Sequence, residues 1–379
     1  MRGKKILTLF LAGVIGASAL TGCGLNKDQA VAVYEDKEVP LGIANFICRY
    51  QQAQYQDSFS AYFGDDCWNV DPYGSGVTMQ EDVKSSVMDG LHDMYVLRDH
   101  MDDYQVTITS DEEAAIAKAV DAFFEKNSKA ALNEMGATKE IVTEVLTLYT
   151  IQSKMYAAII AGADTNISDE EANMRAYSML RMGVSGYYDS SYNYVSYTEE
   201  EIADIKATAE EIVDELEDPK DLEDVAEAHD YEVTTGTYDA DDSALNEDVK
   251  AALDGLKEGE VSGLITTDSY LYIVRLDKET DEEATENNRQ SIITERQNNL
   301  FNEVLDGWQA DDGWTVKEKV LAKIRFDDNL TQTTEGSEAE STETTESETE
   351  SETGSNESGT EAEAVTTESE TESSESETE

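Results

Sequence analysis

Ala30-Val31-Ala32-Val33-Tyr34 is a short apolar run closed by Glu35-Asp36-Lys37, the pattern of a strand leading into a tight turn. Pro40 pre-sets a helical φ, and Ile43, Phe46 and Ile47 follow at helical spacing. A second helix is predicted over residues 81–101, where Val83, Val87, Leu91 and Tyr95 share one face. Ser110-Asp111-Glu112-Glu113 has the form of a capping box: the Ser110 hydroxyl satisfies an orphan amide and Glu113 reaches back. The helix that it starts carries Ile116, Val120, Phe123 and Phe124, and another over 139–160 carries Val142, Leu146, Tyr149, Tyr156 and Ile160. Such stripes predict burial against a core.

From Ser168 onward helices and strands alternate. Ser168-Asp169-Glu170-Glu171 and Thr198-Glu199-Glu200-Glu201 are further capping boxes. A helix over 199–217 shows Ile202, Ile205, Ile212, Val213 and Leu216, and Pro219 breaks it. A short helix ending in Val225 to His229, a strand at Tyr231-Glu232-Val233 and a helix over 246–256 come next. Val261 to Ile265 and Tyr270 to Leu276 alternate as strands do. A long polar helix over 287–308 and a strand-like Trp314-Thr315-Val316 complete the order.

The two ends follow other rules. Arg2, Lys4 and Lys5 precede an uncharged apolar run from Ile6 to Leu20, shorter than the ~20 residues of a spanning helix but suited to a signal-peptide core. It closes in Leu20-Thr21-Gly22-Cys23, which resembles the bacterial lipobox. That resemblance implies cleavage before Cys23, lipid on its sulfur and an anchored chain, with each buried CH₂ contributing about 0.8 kcal/mol. Residues 331–379 hold 17 Glu and 23 Ser or Thr and no Lys, Arg or aromatic residue. Such a segment buries too little apolar area to offset its ordering entropy. It is read as a disordered acidic tail, either a plain solvated end or a spacer in the envelope.

Charge and rare residues narrow the chemistry. The 379 residues carry 84 Asp and Glu against 27 Lys and Arg, a formal net charge of −57. This speaks against a nucleic-acid partner, because phosphate binding rests on clustered Lys and Arg. With 3 His and 3 Cys, one of them in the lipobox, no zinc or iron–sulfur cage of usual spacing is assembled, and no cofactor or metal is expected. Asp239-Ala240-Asp241-Asp242-Ser243 has the look of a calcium loop, but Ala244 stands where such a loop needs Gly; it is read as a solvated turn. Cys48 and Cys67 would lie in a disulfide-permissive compartment. A bridge there, worth ~3 kcal/mol in the chain-entropy model, and two buried free thiols are both open.

The order of elements resembles the PrsA/SurA family of extracytoplasmic foldases. Leu222-Glu223-Asp224-Val225-Ala226-Glu227-Ala228 is similar to that family's "F-x-D-L-A" helix, and Leu256-Lys257-Glu258-Gly259-Glu260-Val261-Ser262 to its "L-x-x-G-E-V-S" turn. Asp268 to Leu276 looks like the last strand that follows, and Asn133 to Thr138 resembles the Gly-containing turn ahead of a family helix. The resemblance spans about residues 29 to 327. It implies an α+β fold: a mainly helical SurA/trigger-factor-like chaperone domain built from N- and C-terminal segments, with an inserted parvulin-like peptidyl-prolyl isomerase domain. The expected divisions are a leader over 1–23, a tether over 24–29, a helical domain over 30–166, the parvulin-like insert over 167–282, a completing segment over 283–328 and a tail over 329–379.

Within that resemblance the two parvulin His positions fall on Ser178, in Arg175-Ala176-Tyr177-Ser178-Met179-Leu180, and on Tyr272. Of the Gly-rich stretch only Gly236 is kept, in Thr234-Thr235-Gly236-Thr237-Tyr238. Prolyl isomerisation is opposed by ~18–20 kcal/mol of amide resonance and needs desolvation and stabilisation of a twisted amide more than a nucleophile. Ser178 and Tyr272 would supply hydroxyls in place of imidazoles, as an active isomerase, or the domain keeps its shape without the rate. Client-binding candidates are Met179, Met182 and Tyr238. Five tyrosines between Tyr187 and Tyr197 depart from the family pattern, and read either as a binding loop or as rings covering the following helix. The function implied is a membrane-anchored foldase or chaperone for unfolded exported polypeptides on the outer face of the membrane. An active isomerase is one alternative, and a structural or adhesive surface lipoprotein is another.

Overall fold

The computed structural model describes residues 14–17, 25–216, 221–326 and 330–333. The basic start of the leader, Cys23, Pro219 and the tail beyond Thr333 lie outside the described residues. Val14–Ala17 is a strand, β1. Ala30–Tyr34 (β2) is the expected strand, and the turn after it, with Glu35 at φ 47°, leads into a second strand, Lys37–Pro40 (β3), that pairs back on β2. Five helices follow: Leu41–Phe63 (α1), Met79–Asp99 (α2), Ser110–Lys126 (α3), Lys129–Glu134 (α4) and Lys139–Ile160 (α5).

The start of α3 differs by one residue from the pattern expected of Ser110 and Glu113. Thr109 is the cap: its hydroxyl accepts from the Glu112 amide at 3.3 Å, and the Glu112 carboxylate accepts from the Thr109 amide at 2.8 Å. Glu112 also receives Lys154 of α5 at 2.7 Å, a tertiary contact that Glu113 does not make. At Asp169–Ala172 (α6) only half of the expected box forms. Ser168 accepts from the Glu171 amide at 3.1 Å, while the Glu171 carboxylate turns away to Arg296.

Next come Arg175–Gly183 (β4), Gly186–Tyr188 (β5), Tyr194–Ser196 (β6), Glu199–Leu216 (α7) and Leu222–Ala228 (α8). Val233–Tyr238 (β7), Glu247–Gly255 (α9), Ile265–Thr266 (β8) and Tyr270–Lys278 (β9) follow. Strand β7 begins where the expected strand at Tyr231 to Val233 ends, because its register on β4 runs from Leu180 opposite Val233 to Arg175 opposite Tyr238. The expected strand from Val261 shrinks to β8 and a single bridge between Val261 and Arg275.

Glu282–Gln309 (α10) starts earlier than predicted, since Asp281 caps it through the Ala284 amide at 3.0 Å. Thr315–Val316 (β10), Glu318–Leu321 (α11) and Leu330–Thr333 (β11) end the described chain. The tail was expected to begin at 329, yet Leu330 is fully buried in the core of the helical unit. An apolar residue beside a core is drawn in ahead of the polar run.

Two groups of elements emerge. Sheet β10-β2-β3 and helices α1, α2, α3 and α5 share one core with Leu305 of α10 and with Val320, Leu321, Ile324 and Phe326. N- and C-terminal segments thus close a single helical unit. Between them lies an antiparallel sheet ordered β7-β4-β9-β8. The segments that enter and leave it are tied together: Asp281 donates its amide to the Met174 carbonyl at 2.7 Å, and Arg289 donates to the Ile167 carbonyl at 2.6 Å. The chain is α+β. No helix among the described residues is long and apolar enough to cross a membrane.

Candidate functional site

Side chains alternate between the two faces of a strand, and in β4 this alternation divides two kinds of chemistry. Leu180 and Met182 pack with Leu271 and Ile273 of β9 against Ala209 and Ile212 of α7 and Leu222 and Val225 of α8. Tyr177 and Met179 lie on the other face with Tyr238, Tyr272, Val274 and Leu276, over Val249 and Leu253 of α9.

Ser178 stands opposite Arg275 in the β4–β9 register, on the α8 side. It is buried, and its Oγ is 2.6 Å from Asp277 Oδ2 and 3.1 Å from Glu223 Oε1, with one proton to donate between them. Ser178 Oγ also accepts from Arg275 Nη2 at 3.2 Å. Arg275 grips Glu223 with two bonds of 2.8 Å and reaches Asp277 at 2.5 Å and Asp221 at 3.3 Å. Burial alone would lower the Arg275 pKa, but its bonds to Glu223 and Asp277 outweigh that and raise it. The Asp221 carboxyl is held below its ordinary range by a side-chain hydrogen bond to Glu223 and by the Glu223 amide, then by Arg275. Ser178 is therefore a fully engaged member of an ion-pair network.

Tyr272 stands opposite Arg181, on the α9 face. Ser178 and Tyr272, the hydroxyls that an active isomerase would use, are not brought together, because the two lie on opposite sides of the sheet. Residue 178 pairs with 275, and three residues along β9 is an odd step that reverses the face. Met179 and Tyr238 share the α9 face with Tyr272, whereas Met182 is buried beneath α7 and α8. The Tyr177 ring meets Tyr238 edge-on at 5.9 Å, and the Tyr238 hydroxyl is 3.2 Å from Asp254. Arg181 stacks over Tyr270 at 5.0 Å, and the Tyr270 and Tyr272 rings are 5.9 Å apart.

Burial raises the Tyr272 pKa, and burial with a contribution from Asp242 raises that of Tyr177. Both phenols are neutral donors at physiological pH, over an apolar floor. Gly236 serves this face by omission: a Cβ there would lie 2.6 Å from the Tyr177 hydroxyl. Its value is the close approach of a ring, not a positive φ.

The imidazoles are spent elsewhere. His92 pairs with Asp312 and stacks on Trp314 at 4.3 Å, His100 stacks on Trp308 at 3.9 Å, and His229 lies 3.0 Å from Glu215. Among the described residues no group of three or more His, Cys, Asp or Glu could hold a metal ion. In the turn at Asp239 the carboxylates bind their own backbone, Asp239 taking the Asp241 amide and Asp242 the Ala244 amide. Cys48 and Cys67 are buried free thiols; burial pushes Cys48 up to about 12 and raises Cys67 as well.

Sequence reasoning missed Tyr177, Arg181 and the Arg275 network. Counting by twos along β4 from Leu180 and Met182, the inward apolar pair, would have placed Ser178 on their side and Tyr177 on the other.

The sheet with helices on both faces defines an α+β domain. Residues 184–287 match the family described as PPIC-type PPIASE domain, a match that takes in Tyr238 and Tyr272 and begins just after β4. No curated protein matches the chain. Among solved structures the chain is similar to foldase protein PrsA from Streptococcus pneumoniae, at 18% identity over 67% of this chain and 97% of that one, TM-score 0.28. It is also similar to foldase protein PrsA from Lactococcus lactis, at 14% identity over 78% and 97%, TM-score 0.28. The peptidylprolyl isomerase PrsA from Bacillus cereus gives 16% identity over 68% and 97%, TM-score 0.28.

Proposed function

We propose that the protein is a lipid-anchored, extracytoplasmic foldase or chaperone that holds unfolded exported polypeptides and isomerises prolyl bonds weakly or not at all. The match of residues 184–287 to the PPIC-type domain supports the polypeptide-binding part, and the lipobox at Cys23 supports the anchor. The observation that carries the weak-isomerase part is the separation of Ser178 from Tyr272 across the sheet, with Ser178 held by Arg275, Glu223 and Asp277. One face keeps an apolar floor with phenols, which is enough to bind, and Ser178 is not on it.

In this reading residues 167–282 form the isomerase-like insert, and 30–166 with 283–328 the helical clamp. The test sets isomerisation of a proline tetrapeptide beside suppression of aggregation of an unfolded client. Suppression with little acceleration is expected, unchanged in Ser178→Ala. Acceleration within about tenfold of an ordinary parvulin, abolished in Tyr272→Phe, would establish the alternative, an active isomerase. Absence of both activities would leave a structural or adhesive lipoprotein.

A further inference from the structure

The hairpin β5–β6 stands apart from the four-stranded sheet, with Gly186 opposite Ser196, Tyr187 opposite Val195 and Tyr188 opposite Tyr194. Its turn is tightly made. The Asp189 carboxylate accepts from the amides of Ser191 at 2.8 Å and Asn193 at 2.9 Å and from the Asn193 side chain at 3.2 Å, while Tyr192 takes φ 60°. At its base Gly186 has φ 157°, and a Cβ there would lie 2.2 Å from the Val195 carbonyl. The hairpin is built to one shape, yet its rings face outward: Tyr188 is 70% exposed, Tyr192 89% and Tyr194 51%. The alternative in which these rings cover α7 is not what the fold does.

Charge indicates the occupant. No Lys or Arg occurs between Arg181 and Lys206, while Asp189, Glu199, Glu200, Glu201 and Asp204 fall within that stretch, on a chain of net charge −57. Elsewhere this protein seats its own cations over tyrosine rings: Arg98 over Tyr95 at 4.3 Å, Arg175 over Tyr238 at 5.5 Å and Arg181 over Tyr270 at 5.0 Å. Among the described residues no such cation lies over the hairpin rings. Exposed tyrosines on a hydrogen-bonded hairpin give contact area at low entropic cost, and an electron-rich ring face in an acidic setting attracts ammonium and guanidinium groups.

We infer that the β5–β6 hairpin is a docking surface for extended, Lys- and Arg-rich polypeptide segments, which lay their cations over Tyr188, Tyr192 and Tyr194. The inference rests on the chaperone reading for its biological sense, but it concerns a surface separate from the α9 face.

The experiment titrates the full chain in detergent with fluorescein-labelled unstructured peptides of equal length, one Lys/Arg-rich, one Asp/Glu-rich and one Gly/Ser-rich, read by anisotropy. Binding of the basic peptide is expected to be at least about tenfold tighter than of the others, about 1.4 kcal/mol, and to weaken as salt is raised. The triple variant Tyr188→Ser, Tyr192→Ser, Tyr194→Ser should lose that preference with an unchanged circular dichroism spectrum. The triple Phe variant should keep it, since the ring faces remain. Equal binding of the acidic peptide, or full preference in the Ser variant, overturns the inference. So does hairpin-dependent binding to purified cell-wall glycan without peptide binding. Aggregation suppression by the wild type, measured in parallel, keeps the two readings apart: if it persists while the peptide preference is absent, the hairpin proposal falls and the chaperone reading stands.

Discussion

A step of one position along β4 carries a side chain from an ion-pair network to a phenol-lined face. Ser178 and Met179 are neighbours in sequence, yet one is held by Arg275 and the other faces Tyr272. The network is the more fragile of the two arrangements, because a single cation answers Glu223, Asp277 and Asp221. Arg275→Leu should destabilise the protein by about 2 kcal/mol in urea unfolding. That lies below the 3–5 kcal/mol of a fully buried broken pair, since the Glu223 and Asp221 side chains are 43% and 55% exposed. An unchanged unfolding midpoint would mean that Arg275 contributes nothing beyond its hydration. The same residue explains a limit of motif reading. A hydroxyl at an expected catalytic position says nothing of its face until the register of the strand is known.

Helix caps tie elements together as well as starting them. Glu112 closes the cap of α3 on Thr109 and receives Lys154 from α5. Burial pushes its carboxyl up, but Lys154 and the Thr109 amide and hydroxyl push it down further, so its folded-state pKa lies below the unfolded one. A depressed carboxylate contributes stability that is complete above its unfolded value of about 4.3 and is lost as pH falls through the lower folded value. Glu112→Gln should therefore cost about 0.5 kcal/mol at pH 7, and the difference from wild type should close below about pH 4. Self-repulsion of the acidic chain is nearly common to both proteins and largely cancels in the comparison. A gap that stayed constant from pH 7 to pH 3 would assign the effect to shape alone. The capping motif was legible from residue types, while the choice of Thr109 over Ser110 needed α5 in place.

At the scale of the whole molecule, one core is shared by two segments separated by the 145 residues between Ile159 and Leu305. Leu305, Val320, Leu321, Ile324, Phe326 and Leu330 complete a core otherwise supplied by residues 31–159. At roughly 1.5–3 kcal/mol for each buried apolar side chain, an upper estimate, their removal forfeits about as much as a domain's whole stability of 5–15 kcal/mol. A chain ended at residue 281 should lose the cooperative unfolding of helices α1 to α5 in denaturant. If it unfolded with an unchanged midpoint, the shared core would be ornamental. The sequence by itself determined the helical stripes of α2, α3 and α5, the β2 strand and the turn at Glu35, the α7 and α9 helices and the strongly acidic character, because each depends on local spacing, turn chemistry or composition. Tertiary structure decided the start of α3, the inclusion of Leu330, the outward aim of the hairpin tyrosines and the parting of Ser178 from Tyr272. Those depend on register and on which distant surface a segment meets, and neither is encoded in the spacing of its own residues.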